Sequence, residues 1–299
     1  MNARLASTPE TWLFLGVGGL CLLLLQHGAF AVPAPAMLLG LLVAVVLTGV
    51  PHGALDPWVA RRAGLWRTPR GLIAFNLAYV AVGALVLVAW QRAPGASLAL
   101  FLLLSAWHFG GDWQPWLDRW TRAPVGAALL ALPALGAPEQ VRAIFTVLAG
   151  DQGGMLAAWL GRAAPWLAAA AGASALLALR RSFAAAVEML AVAAFALLMP
   201  PLVFFLVYFC ALHSPRHLRA AAQSDEPARR RSMAAVAAAY TLLTVVMATA
   251  AWPWLAGAAT TATASGDTLT RVLFIGLAAL TLPHMIVMML CERRRSTRP

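Results

Sequence analysis

Residues 71–91 read GLIAFNLAYVAVGALVLVAWQ, twenty-one consecutive positions without a charged side chain. At about 1.5 Å per helical residue this run covers about 30 Å, the thickness of a bilayer's hydrocarbon core. Comparable apolar stretches lie at about 12–31, 34–51, 97–112, 123–137, 163–179, 183–199, 201–214, 233–255 and 268–291. A chain in lipid must satisfy its own backbone polar groups, so runs of this kind become helices. The expected fold is all-α, a polytopic transmembrane helical bundle of about ten spans.

Composition agrees. Of 299 residues, 62% are hydrophobic and 11% charged, and the mean hydropathy is +0.77. Soluble domains of ordinary composition do not reach such values. The first stretch follows Arg4 as a signal peptide would. Its apolar run exceeds the usual signal core, so we read it as a retained helix. The crossing at 123–137 is the weakest, because it is short and 138–162 carries Glu139, Arg142, Asp151, Gly153 and Gly154. With no Ser/Gly-rich linker, charge block or clear repeat, residues 1–299 are read as one integral membrane domain.

The net charge of +11 comes entirely from arginine against eleven acidic residues, and nearly all of it sits in short loops. This is the distribution of the positive-inside rule rather than a nucleic-acid footprint. With ten spans, Arg61, Arg62, Arg67 and Arg70, then Arg119 and Arg122, then Arg180 and Arg181, share one side with Arg216, Arg219, Arg229–Arg231 and the tail Arg293–Arg295 and Arg298. That side is the cytoplasm, and both termini are expected there, in a multi-pass protein of the cell inner membrane. The chain has no lysine, so it cannot carry retinal as a Schiff base and is not itself a rhodopsin. Cys21, Cys210 and Cys291 lie far apart in apolar segments and read as small core residues.

Six histidines remain: His27, His52, His108, His213, His217 and His284. On the expected topology all but His27 fall toward the arginine-rich side. Ionisable groups within a membrane are costly unless they pair, face the interior or bind something, so this gathering is a candidate site. His27 alone reads as an ordinary hydrogen-bonded histidine. In 51–56, PHGALD, and 108–112, HFGGD, an aspartate follows a histidine by four residues and could orient it, if the helix continues. In 212–217, LHSPRH, two imidazoles stand four apart, and Pro215 forces a break or a new helix start after Ser214. Trp113, Trp116 and Trp120 have helical spacing and read as an interfacial aromatic belt.

Three or four neutral imidazoles would leave a divalent metal its full charge and an open position. Zinc, copper and ferrous iron all accept imidazole, so ligand type does not choose among them. A site reached from the bilayer suits a lipophilic substrate, and attack on an alkene by O2 requires a redox-active metal, which favours iron. Three other readings stand beside this one. A di-iron desaturase or hydroxylase needs about twice as many histidines, a haem carrier needs paired helix histidines, and a transporter places its polar residues near the midplane.

The motifs PHGALD (51–56), WHFGGDW (107–113), LHSPRH (212–217) and LPHM (282–285), in this order, resemble the Brp/Blh family of bacterial and archaeal membrane β-carotene 15,15′-dioxygenases. The resemblance spans essentially the whole chain. It implies iron ligands at His52, His108, His213 and His217, with His284 a pocket residue or an extra ligand. It also implies Fe(2+) as cofactor, β-carotene and O2 as substrates, two molecules of retinal as product, and a microbial rhodopsin as a recipient.

Overall fold

The computed structural model describes residues 8–28, 34–223, 229–256 and 262–296, and every regular element among them is helical. Helices α1 (Pro9–Gln26), α2 (Ala34–Ala44), α3 (Val50–Gly53), α4 (Asp56–Arg62), α5 (Pro69–Arg92) and α6 (Pro94–Gly110) are followed by α7 (Arg119–Gly136) and α8 (Pro138–Leu179). Then come α9 (Phe183–Leu198), α10 (Pro201–Tyr208), α11 (Ser214–Gln223), α12 (Arg230–Ala256) and α13 (Ala262–Ser296). Two π-helical turns interrupt the series, Val45–Gly49 before α3 and Phe209–His213 before α11.

Six helical stretches are long and apolar enough to cross a membrane: Pro9–Gln26, Ala36–Arg62, Pro69–Arg92, Pro138–Leu179, Arg230–Leu255 and Gly266–Arg294. Phe183–Leu198 is apolar but shorter. The ten stretches read from sequence are helical through most of their described lengths, while fewer reach full span length. The termini and part of the loop from Gln223 to Arg231, which carry the expected orientation, lie outside the described residues.

The mixed region 138–162 is helical with one sharp break. Ala149 leaves helical geometry and Gly150 takes φ +57°, a left-handed conformation that favours glycine. The chain then folds back, because a Cβ on Gly153 would lie 1.8 Å from the Phe145 carbonyl oxygen. Eight residues along an unbroken helix are about 12 Å apart, so Pro138–Leu148 and the helix beginning at Asp151 form a tight hairpin.

The chain divides into two compact units, one comprising 1–41 and 94–213, the other 42–93 and 214–299. In the first, small residues let backbones touch, as in membrane helix packing generally. Gly126 of α7 lies against Ala106 and Gly110 of α6, Gly136 meets the carbonyl of Leu197 in α9, and Gly18 of α1 receives the ring of Phe195. Buried Glu188 in α9 accepts a 2.6 Å hydrogen bond from Thr11 Oγ1 of α1. Asp118 caps α7: the N–H groups of Thr121 and Trp120 donate to its carboxylate and hold its pKa below the usual value.

In the second unit, Gly83 brings α5 against the α13 backbone at Ala279, and Asn76 donates to the Tyr240 hydroxyl of α12 at 2.9 Å. Of the 24 residues of α5 only Trp90 is buried. Its outward leucines, valines and isoleucine give it the apolar exterior of a lipid-facing helix. The chain thus has the helix lengths and apolar surfaces of a membrane protein.

Candidate metal centre

Helix breaks place the histidines. In the second unit the π turn Val45–Gly49 ends two residues before Pro51, and His52 sits on the single turn of α3. A π turn carries one residue more than an α-helical turn and leaves carbonyls poorly used within the helix. The Gly49 oxygen is used by His52 instead, whose Nδ1 lies 2.5 Å away. Ser214 Oγ donates to the Thr48 carbonyl at 2.5 Å and stands 3.2 Å from the same Nδ1. A carbonyl only accepts, so the proton of His52 is on Nδ1 and Nε2 keeps its lone pair.

His217 of α11 and His284 of α13 complete this group, with ring centroids 5.7 and 5.4 Å from that of His52. All three line a cavity of about 350 Å³, together with Asp56, Arg62 and Met288 among others. That is space for more than an ion and within the size range of small-molecule sites. His284 is buried, and its Nδ1 donates to Asp56 Oδ1 at 2.8 Å. The hydroxyl of Tyr79 in α5 donates to the other oxygen of Asp56, also at 2.8 Å.

The first unit holds His108 near the end of α6 and His213 at the end of the second π turn. Their Nε2 atoms are 3.1 Å apart. His213 is fully buried, and its Nδ1 is 3.1 Å from each oxygen of Asp112. Tyr208 donates to Asp112 Oδ2 at 2.6 Å. The ring of Phe209 lies nearly parallel to His213 with centroids 5.6 Å apart, and Phe109 meets it edge-on at 5.0 Å. These rings shield the imidazole and limit its rotation.

The chain therefore holds histidine groups that could bind a metal. Where Nδ1 is committed to an oxygen acceptor, as in His52, His213 and His284, Nε2 is the available donor. The His108–His213 separation also fits: two nitrogens about 2.1 Å from one ion, subtending about 95°, are about 3.1 Å apart. Neutral imidazoles are suitable donors for ferrous iron.

Several sequence expectations change. Asp56 and Asp112 orient His284 and His213 rather than His52 and His108, the histidines four residues before them. The α-helix ends at Gly53, and at Gly110 it tightens into the 3₁₀ turn Gly111–Trp113, so each carboxylate leaves its own histidine and turns to another element. Both are buried. The contacts of Tyr79, Tyr208 and Ser214 were missed, since their partners Asp56, Asp112 and His52 lie 23, 96 and 162 positions away. The tryptophans do not share one helix: Trp113 is buried in a 3₁₀ turn, Trp120 is 71% exposed in α7, and the intervening chain is not helical throughout. His27 is exposed at the end of α1 and is grouped with none of these histidines by any described contact. Of the cysteines only Cys291 is fully buried.

Comparison with known proteins gives a consistent result. A protein of Halobacterium salinarum described as "Probable beta-carotene 15,15'-dioxygenase Blh" is 30% identical over 85% of this chain and 84% of its own length. A "Beta-carotene 15,15'-dioxygenase" of an uncultured marine bacterium, 66A03, is 29% identical over 86% of this chain and 94% of its own. No solved structure matches the chain. Residues 43–292, which take in parts of both units and every histidine but His27, match the family described as "Beta-carotene 15,15'-dioxygenase", and the chain belongs to that family.

Proposed function

We propose that this protein cleaves β-carotene at its 15,15′ double bond with O2, giving two molecules of retinal, at an iron held by His52, His108, His213 and His217. The observation that carries the reading is the family match across 43–292 together with imidazoles whose Nδ1 atoms are tied down. Bound Fe(2+) supplies the redox activity that lets O2 react with a carbon–carbon double bond. The residues of the chain do the rest. Gly49, Ser214 and Asp112 hold imidazole protons at Nδ1, and Phe109 and Phe209 pack against His213. The cavity beside His52, His217 and His284 offers the reacting double bond a place next to polar groups.

The family match runs unbroken through both units, which supports a single integral membrane domain. We place it in the cell inner membrane with ten spans and both termini cytoplasmic, from the arginine distribution. Retinal released into the bilayer would suit a microbial rhodopsin as recipient.

Two experiments test this. Expression in cells that accumulate β-carotene should bleach their colour and yield a C20 aldehyde without longer apocarotenals, because symmetric cleavage gives identical halves. An unchanged carotene pool in cells containing folded protein would sink the substrate assignment. Reporter fusions after Arg92 and after Arg230 should report opposite sides of the membrane; agreement between them would mean a wrong span count in the intervening chain.

A further inference from the structure

The two units share a construction. In each, an aspartate four residues beyond a motif histidine sits just past a helix end, accepts from a tyrosine hydroxyl on one oxygen, and receives the Nδ1–H of a histidine far along the chain. The members are Tyr79–Asp56–His284 in one unit and Tyr208–Asp112–His213 in the other. All four acidic and imidazole groups are buried, so these are not casual surface contacts. Burying a carboxylate is costly unless it is well hydrogen-bonded, and here each has both a hydroxyl and an imidazole donor.

We propose that Asp56 and Asp112 are positioning residues, each held by its tyrosine, that fix His284 and His213 with the proton on Nδ1, and that His284 is therefore a metal ligand through Nε2. The inference rests on the metal reading above and extends it to a residue whose role the motifs leave open. Three observations carry it. Asp56 holds His284 at 2.8 Å, a shorter contact than the 3.1 Å of Asp112 to His213. The ring of His284 stands 5.4 Å from that of His52 and perpendicular to it, at 88°, an arrangement two ligands of one ion can adopt. Both rings line the same cavity. An imidazole that only walled an apolar pocket would not need a buried carboxylate braced by a tyrosine.

The carboxylate acts in two ways. It excludes the tautomer in which Nε2 carries the proton and cannot donate a lone pair, and it makes the imidazole a stronger base toward a cation. The tyrosine fixes the plane of the carboxylate. Losing such an orienting partner typically weakens metal affinity about 10- to 100-fold.

The test is a binding cycle on the purified full-length protein, stripped of metal and titrated with Fe(II) against a competing chelator under anaerobic conditions. Co(II) serves as a second probe, because its visible spectrum reports ligand number. Asp56→Ala should weaken Fe(II) binding about 10- to 100-fold, and His284→Ala at least as much, with an altered Co(II) spectrum. The double variant Asp56→Ala/His284→Ala should bind no more weakly than His284→Ala alone, since the carboxylate has no other route to the metal. Asp56→Asn keeps the volume and an oxygen that can accept from Nδ1, so it should recover part of the affinity and guards against a folding defect in the alanine variant. Tyr79→Phe should show a smaller loss in the same direction. Additive losses in the double variant, or wild-type Fe(II) affinity in either Asp56→Ala or His284→Ala, would overturn the proposal while leaving the iron reading intact. A wild-type protein that binds no Fe(II) would remove the iron reading and this inference with it.

Discussion

Replacing His52, His108, His213 or His217 singly with alanine is expected to lower retinal formation by more than about a hundredfold, beyond the 10- to 100-fold that loss of an orienting partner costs. Bound iron should fall with activity. Each substitution removes one nitrogen from a set with few substitutes nearby, because Asp56 and Asp112 are engaged by Tyr79 and Tyr208 as well as by imidazoles. His213→Ala carries an extra cost: it takes a hydrogen-bond donor from Asp112 in a fully buried place, and leaving a buried acceptor unpaired costs about 1–3 kcal/mol. His52 and His217 are only half-buried, so their variants separate metal loss from folding loss more cleanly. His27→Ala is the control, exposed at the end of α1 and expected to stay within about 0.5 kcal/mol of the parent. Stoichiometric iron in all four variants, measured on folded protein, would end the assignment.

Gly126→Ala should be nearly as damaging, although it adds a single methyl group far from any ionisable side chain of the site in sequence. Its Cβ would lie 1.9 Å from the Ala106 carbonyl oxygen and 2.7 Å from the Gly110 nitrogen. Both atoms belong to backbone, so no rotamer change relieves the clash and α6 must move off α7. The two contacts bracket His108, which makes this a lesion of the site as well as of the packing. Overpacking usually costs about 1–3 kcal/mol, and a backbone clash belongs at the upper end. Gly16→Ala in α1 is the matched control: nothing lies within 4 Å of the new atom, and alanine favours helix by up to about 1 kcal/mol. Melting of detergent-solubilised protein, followed by size-exclusion chromatography, should rank Gly126→Ala far below Gly16→Ala. Equal melting temperatures with full iron content would show that the helices separate at no cost.

How much of this was legible in the sequence depends on the range of the interaction. Helices declared themselves through apolar length, and the run at 71–91 maps onto α5 with a difference of two residues at its start. The histidine groups were legible because their motifs are local. What escaped was long-range or depended on where a helix stops. Asp56 meets His284 across 228 positions, and Asp112 meets His213 across 101. No periodicity encodes such pairings. The expectation that each aspartate serves its own histidine assumes an unbroken α-helix, and the helix end at Gly53 and the tighter 3₁₀ turn after Gly110 remove that premise. The same assumption put the three tryptophans on one helix, which they do not share. The hairpin in α8 was hidden for another reason: Gly150 supports its turn in an otherwise helix-forming stretch, and glycine in an apolar run signals nothing by itself.

The π turns at Val45–Gly49 and Phe209–His213 each amount to an α-helix with one residue inserted. Deleting a single residue from either would let the backbone relax into an ordinary α-helix, with a gain in regular hydrogen bonding. The chain beyond would face much as before, because the bulge absorbs its extra residue locally, but the regular ladder would take back the carbonyls that the bulge leaves to side chains. At Val45–Gly49 those carbonyls are Thr48, which accepts from Ser214, and Gly49, which holds Nδ1 of His52, and His213 is itself the last residue of the second turn. Such a shortened chain could insert, pack and resist unfolding better than its parent while having lost its chemistry. In these two five-residue segments length is itself inherited information, and side chains can be exchanged there far more freely than a position can be lost.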